Sequence, residues 1–293
     1  MAVPQQVAIG ALPFSNHVAS RDGTARRQRG PDNGVAPLGA GQQLLRRGAE
    51  QARVRPAQGD EPALHLLIRG TPSVAFLRWC LDRLSTGQST RVLTGALAPA
   101  EQVPFLEAGF SVLEHLCLLE LVLGRGGKAP DRPCRDRARR RHGGWALRRA
   151  RGTDRAQVLS VDHAAFDPFW RLDSTSLDEA LAATPGRRYR VAVWPRSPLR
   201  HGRVVAGYAV TGLALDQGYI QRLAVHPDVQ SKGAGRALLA DGLRWLERRD
   251  ATRVLVNTQE TNERALGLYA SLGFRPSPER LSVLCATLTG RAG

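Results

Sequence analysis

A glycine-rich turn around residue 230 is the part of the chain whose residue types best suit chemistry. Gln230, Gly233 and Gly235 fit the pattern Gln-x-x-Gly-x-Gly, between a predicted strand at 219–226 and a predicted helix at 233–249. Such a turn directs several backbone N–H groups at one point, and the helix dipole adds positive potential there. Glycines let the backbone approach an anion closely. The pattern predicts a pyrophosphate cradle and differs from the P-loop and from Gly-x-Gly-x-x-Gly.

A second segment with helical spacing follows the turn. Asn262, Ala265 and Tyr269 stand in the pattern Asn-x-x-Ala-x-x-x-Tyr, and Leu-Gly-Phe follows at 272–274. The strand, the turn and this segment, in this order, resemble the GCN5-related N-acetyltransferases, the GNAT superfamily, over roughly residues 146–289. The resemblance implies an α/β (α+β) fold with a mixed central β-sheet flanked by helices, preceded here by a truncated GNAT-like half-domain.

The resemblance also implies acetyl-CoA as the acyl donor and no metal. In the family the turn holds the pyrophosphate, and the strand before it pairs its backbone with the pantetheine arm. A backbone N–H of that strand polarises the thioester carbonyl. Carried over by position, the implied donor-binding residues are Leu223, Ala224, Val225, Gln230, Lys232, Gly233, Ala234, Gly235, Arg236 and Asn262.

Tyr269 is the implied catalytic residue, because family members commonly use a tyrosine at this position to protonate the leaving thiolate. The alternative is an aromatic residue of a helix packed on the sheet. The general base is less evident. N-terminal acetyltransferases of the ribosomal-protein type carry a glutamate where this chain has Asn257, and an amide cannot accept that proton. Glu260 lies nearby, at the predicted strand end; a chain of water molecules could also serve, or the amine could arrive already neutral.

The segment at 162–170 is similar to the acceptor-site loop of N-terminal acetyltransferases. Its aromatic residues Phe166, Phe169 and Trp170 are expected either to wall a peptide groove or to anchor the first helices to the sheet. His163 and His226 are isolated histidines, and no zinc-like cluster of ligands is apparent.

Composition sets broader bounds on the protein. The net charge of +16 is almost wholly due to arginine, since Lys128 and Lys232 are the only lysines. Four scattered cysteines without metal spacing predict reduced thiols in a cytoplasmic protein. We expect no transmembrane segment and no signal peptide.

The pattern along the chain predicts four regions. Residues 1–60 are expected to be a disordered or irregular arm, and 61–123 a degenerate, truncated GNAT-like domain. Residues 124–150 are expected to be an Arg-rich linker, and 151–293 the N-acetyltransferase domain. Eleven Arg and Lys side chains against two acids between 125 and 151 suit a solvated linker, with weak contact to a polyanion such as RNA as the alternative.

A degenerate internal repeat connects the two folded regions. Leu77-Arg78-Trp79 recurs at 243–245, Arg91-Val92-Leu93 at 253–255, and Gly109-Phe110 at 273–274. Phe105 stands where Tyr269 stands in the second copy, and it has no hydroxyl to donate. The first copy is therefore predicted to be structural.

Hydrophobic periodicity predicts the individual elements. Strands are expected at 64–68, 91–97, 111–123, 188–194, 203–214, 218–226, 252–258 and 280–288. Helices are expected at 73–85, 99–108, 154–165, 176–184, 233–249 and 262–272. Helical crossovers between the later strands imply parallel pairs in the second half of the sheet.

Taken together, these features predict transfer of an acetyl group to a primary amine within a ternary complex. A protein N-terminal α-amine is the first expectation for the acceptor. A small-molecule amine, as in the mycothiol-synthase type, is the second. The rival from another class is a non-catalytic acyl-CoA-binding module.

Overall fold

A computed structural model describes residues 8–10, 33–39, 41–57, 62–68, 70–86, 88–124, 145–194 and 204–288. The chain forms two compact units. The C-terminal unit comprises Met1–Leu12 and Cys117–Pro278, and the N-terminal unit comprises Pro13–Leu116 and Glu279–Gly293. Each unit therefore combines two separate stretches of the sequence.

The strands of the described residues are β1 (Ala8–Gly10), β2 (Asn33–Gly39), β3 (Gln42–Arg47), β4 (Glu50–Pro56), β5 (Ala63–Ile68), β6 (Arg91–Leu97), β7 (Ser111–Val122), β8 (Ala146–Arg149), β9 (Gly186–Val193), β10 (Val205–Ala214), β11 (Gln217–Val225), β12 (Arg253–Gln259) and β13 (Arg275–Thr287). The helices are α1 (Val74–Leu84), α2 (Pro99–Glu107), α3 (Arg155–Ala165), α4 (Ser174–Ala182), α5 (Ala234–Glu247) and α6 (Glu263–Ala270). Short 3₁₀ turns lie at Gly152–Asp154, Pro168–Trp170 and Pro227–Val229. None of the helices in the described ranges is long and apolar enough to cross a membrane.

In the N-terminal unit the strands follow the order β2-β3-β4-β5-β6-β13. The pairs are antiparallel except β5 and β6, which are parallel and connected by α1. Helix α1 begins after Ser73, whose side chain caps the N–H of Phe76. Its buried face, which includes Phe76, Leu77 and Cys80, packs into one apolar cluster with residues of β3 to β6 and β13. Burial raises the pKa of the Cys80 thiol to about 12.

Part of the expected N-terminal arm is ordered. Residues 33–56 were expected to be irregular, whereas they form the antiparallel strands β2, β3 and β4. The buried positions Leu45, Ala52 and Val54 are separated by Gln, Arg and Glu residues on the exposed side. Only a few small or apolar residues alternate with many polar ones, so the composition concealed the two-residue period of a half-buried strand.

In the C-terminal unit the strands follow the order β12-β11-β10-β9-β8, with β11 and β12 parallel and the other pairs antiparallel. The strand β11 separates two layers of helices. Arg222 contacts α3, whereas Leu223 belongs to the apolar cluster that includes Leu238 of α5. Because adjacent residues of a strand point to opposite faces, α3 and α5 cover opposite faces of this sheet.

The predicted helices and strands from residue 63 onward are found within two residues of their expected bounds, except that β13 begins at Arg275 instead of at residue 280. Two expected borders were misplaced. Residues 146–149, expected in the linker, form β8 and pair with β9. Residues from Glu279 onward belong to the N-terminal unit, because β13 pairs with β6 from Ser282 to Thr287. Residues 125–144, the rest of the expected linker, lie outside the described residues.

The two units share a local arrangement at the positions of the sequence repeat. In the parallel pairs, Arg91 of β6 lies opposite Ala63, and Arg253 of β12 lies opposite Gln217. Gly109 and Gly273 both have positive φ, of 102° and 90°. Each precedes a phenylalanine that packs edge-to-face on an aromatic ring of the preceding helix, with centroids 5.3 Å apart in both units: Phe105 with Phe110, and Tyr269 with Phe274.

Candidate active site

The strands β11 and β12 diverge at the point where the donor strand was predicted. Their parallel pairing runs from Gln217 to Tyr219 of β11 and goes no further. A β-bulge follows, because Val210 of β10 pairs with Arg222 and Thr211 pairs with Ile220, which leaves Gln221 as the extra residue. Bulges bend a strand and increase its twist. The backbone edge beyond the bulge, which includes Leu223, Ala224 and Val225, is therefore not paired with β12.

The chain's own N-terminal segment lies on this edge. Strand β1 pairs with β11 in antiparallel fashion, with Ala8 opposite Ala224, Ile9 opposite Leu223 and Gly10 opposite Arg222. The backbone groups at 222–224 can therefore accept an extended segment in the gap. They are part of the edge that the family resemblance assigns to the pantetheine arm.

The turn after β11 is held by the amide of Gln230. Its Nε2 donates to the carbonyl of Val225 at 3.0 Å, and its Oε1 accepts a hydrogen bond from Arg264 of α6. Gln230 thus ties the end of β11, the turn and α6 together. It shapes the turn through these contacts, whichever ligand the turn binds.

The turn itself is exposed and open. Gly233 has φ of 86° at the N-cap of α5, a left-handed conformation that favours glycine. A Cβ at Gly233 would have no heavy atom within 4 Å, whereas one at Gly235 would lie 3.5 Å from Leu268 and Val225. No acidic residue stands in the first turn of α5. This helix terminus, with Ala234 as its first residue, therefore fits an anion.

Two of the predicted cationic side chains lie beside the turn. Lys232 donates from Nζ to the carbonyl of Asp228 at 3.0 Å, and its own carbonyl accepts from the indole of Trp145 at 2.8 Å. Arg236 donates to the hydroxyl of Ser271 at 2.7 Å and is exposed. Both side chains add positive charge close to the open N-terminus of α5.

Helix α6 positions the two remaining predicted residues. Asn262 caps this helix, since its Oδ1 accepts from the N–H of Ala265 at 3.1 Å. Tyr269 is completely buried, and its hydroxyl has no hydrogen-bond partner among the described residues. Burial raises the pKa of the Tyr269 phenol well above its ordinary value. The phenol is therefore neutral in this environment.

Other buried polar groups near the gap also lack partners within the described residues. They are both side-chain atoms of Asn257, Oγ1 of Thr258 and Oε1 of Gln221. Asn257 and Thr258 belong to β12 and Gln221 to β11, the strands that border the gap. An unsatisfied buried polar group costs about 1–3 kcal/mol, so such groups call for an explanation. A polar ligand between β11 and β12 would supply one for a group that faces the gap.

The sequence interpretation missed a buried ion pair beneath the bulge. Arg222 donates to Asp162 from Nε at 2.8 Å and from Nη2 at 2.9 Å. Asp162 also accepts from the hydroxyl of Tyr208 at 2.5 Å. Both charged side chains are at most 1% exposed. Two signals in the sequence could have predicted this pair: Arg222 stands inside an apolar strand, and Asp162 stands on the apolar face of a helix.

The aromatic segment at 166–170 is largely internal. Phe166 is buried, and the guanidinium of Arg222 lies over its ring at 3.2 Å from the centroid. Trp170 is 9% exposed and packs edge-to-face with Phe169. These contacts favour the anchoring interpretation for Phe166 and Trp170. The described residues contain no group of His, Cys, Asp and Glu side chains suited to a metal ion.

In sequence comparisons with known proteins, the chain is similar to acetyltransferases. The profile of the acetyltransferase (GNAT) family matches residues 161–274. A [ribosomal protein bS18]-alanine N-acetyltransferase of Escherichia coli K12 is 32% identical over 103 residues, which are 35% of this chain and 66% of that protein. A mycothiol acetyltransferase of Nocardia farcinica is 26% identical over 244 residues, 78% of this chain and 76% of that protein.

A tandem GNAT protein from the clavulanic acid biosynthesis pathway has a similar fold. The TM-score is 0.54 at 16% sequence identity, and the match covers 85% of this chain and 82% of that chain. Residues 161–274 therefore form an acetyltransferase (GNAT) domain.

Proposed function

We propose that the chain is an acetyl-CoA-dependent N-acetyltransferase that transfers the acetyl group directly to a primary amine. The observation that carries the proposal is the open left-handed turn at Gly233, placed between the edge of β11 that β12 leaves unpaired and the N-terminus of α5. An anionic, extended donor suits this arrangement. Its diphosphate would lie against the first turn of α5, and its amide-containing arm would lie along β11.

The reaction makes three demands, of which the site would meet two. The amine nitrogen attacks the thioester carbon and loses a proton to solvent, and the C–S bond breaks. A backbone N–H near Leu223 to Val225 would stabilise the charge that develops on the carbonyl oxygen. Tyr269 would give its phenolic proton to the leaving sulfur as the C–S bond breaks.

The acceptor amine must arrive largely neutral. Asn257 occupies the position of the glutamate in the ribosomal-protein type, and an amide accepts no proton. An α-amine has a reference pKa of about 7.7–8.0, against about 10.4 for a lysine side chain. This difference favours an α-amine or another amine of low pKa. The similarity to bS18-alanine N-acetyltransferases supports a protein N-terminus as the acceptor.

A small-molecule amine is the second candidate acceptor, and a separate observation favours it. The similarity to the mycothiol acetyltransferase extends over 78% of this chain, whereas the similarity to the Escherichia coli relative covers 35% of it. The similarity to the mycothiol acetyltransferase therefore includes residues of both units. It supports an acceptor of the kind that the mycothiol enzyme uses.

We further propose that the N-terminal unit is a degenerate GNAT-like repeat without a donor site. At the N-terminus of α1, the carboxylate of Glu50 accepts from the backbone N–H of Ser73 at 2.6 Å and from its hydroxyl at 2.7 Å. An internal anion thus already occupies the helix terminus that corresponds to the one at Gly233. Phe105 replaces the tyrosine in this unit, as the sequence predicted.

Calorimetric titration of the full chain with acetyl-CoA tests the donor site. We expect one donor per chain, together with a loss of affinity as ionic strength rises, because the pyrophosphate contact is electrostatic. Two donors per chain would contradict the assignment of the N-terminal unit. Absence of binding at millimolar acetyl-CoA would contradict the proposed function itself.

A further inference from the structure

The buried ion pair between Arg222 and Asp162 lies at the junction of two parts of the proposed site. Asp162 accepts four hydrogen bonds, two from Arg222, one from Tyr208 and one from the backbone N–H of Leu172 at 2.7 Å. Arg222 donates a further bond to the carbonyl of Trp170 at 2.7 Å. One pair of side chains therefore contacts β11, β10, α3 and the loop that follows α3.

The pair holds the β-bulge of β11 from one side. The extra residue Gln221 and its neighbour Arg222 both contact the helical layer that contains α3 and α4. Gln221 donates to Thr184 at 3.2 Å, just after α4, and Arg222 binds Asp162 of α3. The side chain of Gln221 leaves no room for a Cβ at Gly212, which would lie 2.7 Å from its amide. The bulge thus has defined side-chain anchors.

The same pair holds the loop at 166–172. The carbonyl of Trp170 and the N–H of Leu172 bind opposite members of the pair, and Phe166 packs against the guanidinium. The bulge sets the direction of the donor-facing edge at Leu223 to Val225. The loop lies where the family resemblance expects the acceptor. The ion pair therefore connects the two segments directly.

Stability alone does not account for two charges at this depth. Removing two ions from water is costly, and apolar pairs of similar volume are often as stable as a buried ion pair. Bidentate geometry, by contrast, restricts both partners strongly, because two parallel N–H···O bonds fix an angle as well as a distance. A planar guanidinium also provides the further donor that reaches Trp170.

We propose that Arg222 and Asp162 are positioning residues for acyl transfer, which hold the bulged donor edge and the acceptor loop in a fixed mutual geometry. This inference rests on the proposed function. Neither side chain touches a reacting atom in this mechanism. Their effect should therefore appear mainly in the chemical step, and less in the affinity for the donor, because the pair does not form part of the cradle at Gly233.

The test compares Arg222→Lys, Tyr208→Phe and the double variant Asp162→Asn with Arg222→Gln, all in the full chain. Arg222→Lys retains the positive charge but cannot form the two parallel hydrogen bonds of the guanidinium. The double variant leaves no unpaired charge. Arg155→Lys is the matched control. Arg155 lies on α3, as Asp162 does, and makes a bidentate pair with Asp178 of α4. This pair lies on the exposed surface.

We expect kcat to fall about 10- to 100-fold for Arg222→Lys and for the double variant, as for other small misplacements of reacting groups. The Kd for acetyl-CoA should rise by a clearly smaller factor than kcat falls, because the pair does not form part of the pyrophosphate cradle at Gly233. Tyr208→Phe should show the same effect to a smaller extent, and Arg155→Lys should show neither.

Thermal unfolding distinguishes this role from a structural one. If the variants unfold at lower temperature but retain wild-type kcat well below that temperature, the pair only stabilises the fold and the proposal is overturned. Equal losses in kcat and donor affinity would also overturn it. A wild-type chain that binds no acetyl-CoA would instead refute the proposed function, and that outcome is recognisable before any variant is made.

Discussion

Tyr269 packs edge-to-face on Phe274 with ring centroids 5.3 Å apart, and its buried hydroxyl has no hydrogen-bond partner among the described residues. In the N-terminal unit, Phe105 and Phe110 make the same contact at the same distance without a hydroxyl. The aromatic pair therefore meets the packing requirement on its own. The hydroxyl of Tyr269 adds a cost to folding, which is the pattern expected of a group that serves a ligand.

Replacing this hydroxyl should separate stability from activity. Tyr269→Phe should raise the free energy of unfolding by about 1 kcal/mol, because an unsatisfied buried group is removed. It should lower kcat by about 100-fold or more, because the leaving thiolate loses its proton donor. Chemical denaturation and steady-state kinetics measure the two effects. A variant with unchanged kcat would show that Tyr269 is not the acid.

The cradle should depend on the left-handed conformation of Gly233. Gly233→Val should raise the Kd for acetyl-CoA at least about tenfold, since a side chain at φ of 86° is strained and would project into the open turn. Gly267→Ala is the control. Gly267 is a helical glycine with free space around it, so alanine should stabilise α6 by about 0.5–1 kcal/mol without affecting binding. Equal Kd values for both variants and the wild type would refute the cradle.

The pH dependence of kcat/KM should be determined by the pKa of the acceptor amine. With Asn257 in place of a carboxylate, kcat/KM should rise with pH up to the pKa of the acceptor amine and then level off. The plateau should begin near pH 8 for an α-amine and about two units higher for a lysine side chain. Because burial raises the pKa of Tyr269, its ionisation should not lower the rate in this range. A plateau at the same pH for both acceptors would indicate a base within the protein.

The N-terminal segment should compete with the acyl donor. Because β1 pairs with the backbone at Arg222 to Ala224, an extended donor arm on that edge requires its release. Ala8→Pro combined with Ile9→Pro removes the N–H groups that pairing needs, so the Kd for acetyl-CoA should fall several-fold. Ala8→Val combined with Ile9→Val keeps both N–H groups and should leave it unchanged. A higher Kd in the first variant would show that the segment assists binding.

The N-terminal turn of α3 should lose stability in acid. Arg148 binds Asp154 through two hydrogen bonds of 2.6 and 2.7 Å and lowers the pKa of that carboxyl. A depressed folded-state pKa contributes stability above the unfolded-state value of about 3.9, and this is lost as the pH falls through the folded-state pKa.

Asp154→Asn should accordingly lower the free energy of unfolding at pH 7 by about 1–3 kcal/mol, and by less toward pH 3. Asp178→Asn breaks the exposed pair with Arg155 and should cost less than about 1 kcal/mol. Denaturant titrations at both pH values measure these differences. An Asp154→Asn deficit that does not depend on pH would contradict the assignment.

The sequence predicted what depends on local pattern. The glycine turn and the helices and strands from residue 63 onward follow from turn chemistry and from periodicity. The strands between residues 33 and 56 were missed because polar residues dominate their exposed face. The divergence of β11 from β12 has no local signature, since it arises from a bulge at Gln221. Likewise, no spacing rule connects Asp162 with Arg222, 60 residues further along the chain.

The measurement that tests the central claim most directly is acetyl-CoA-dependent release of free thiol by the purified chain. The acceptor panel should contain N-terminal peptides, polyamines, amino sugars and cysteinyl pseudodisaccharides, with mass spectrometry of each acceptor. An N-acetyltransferase should release thiol with one class of amine and add one acetyl group to that acceptor. Clear binding of acetyl-CoA without thiol release for any amine would contradict the proposed function and favour a non-catalytic acyl-CoA-binding module.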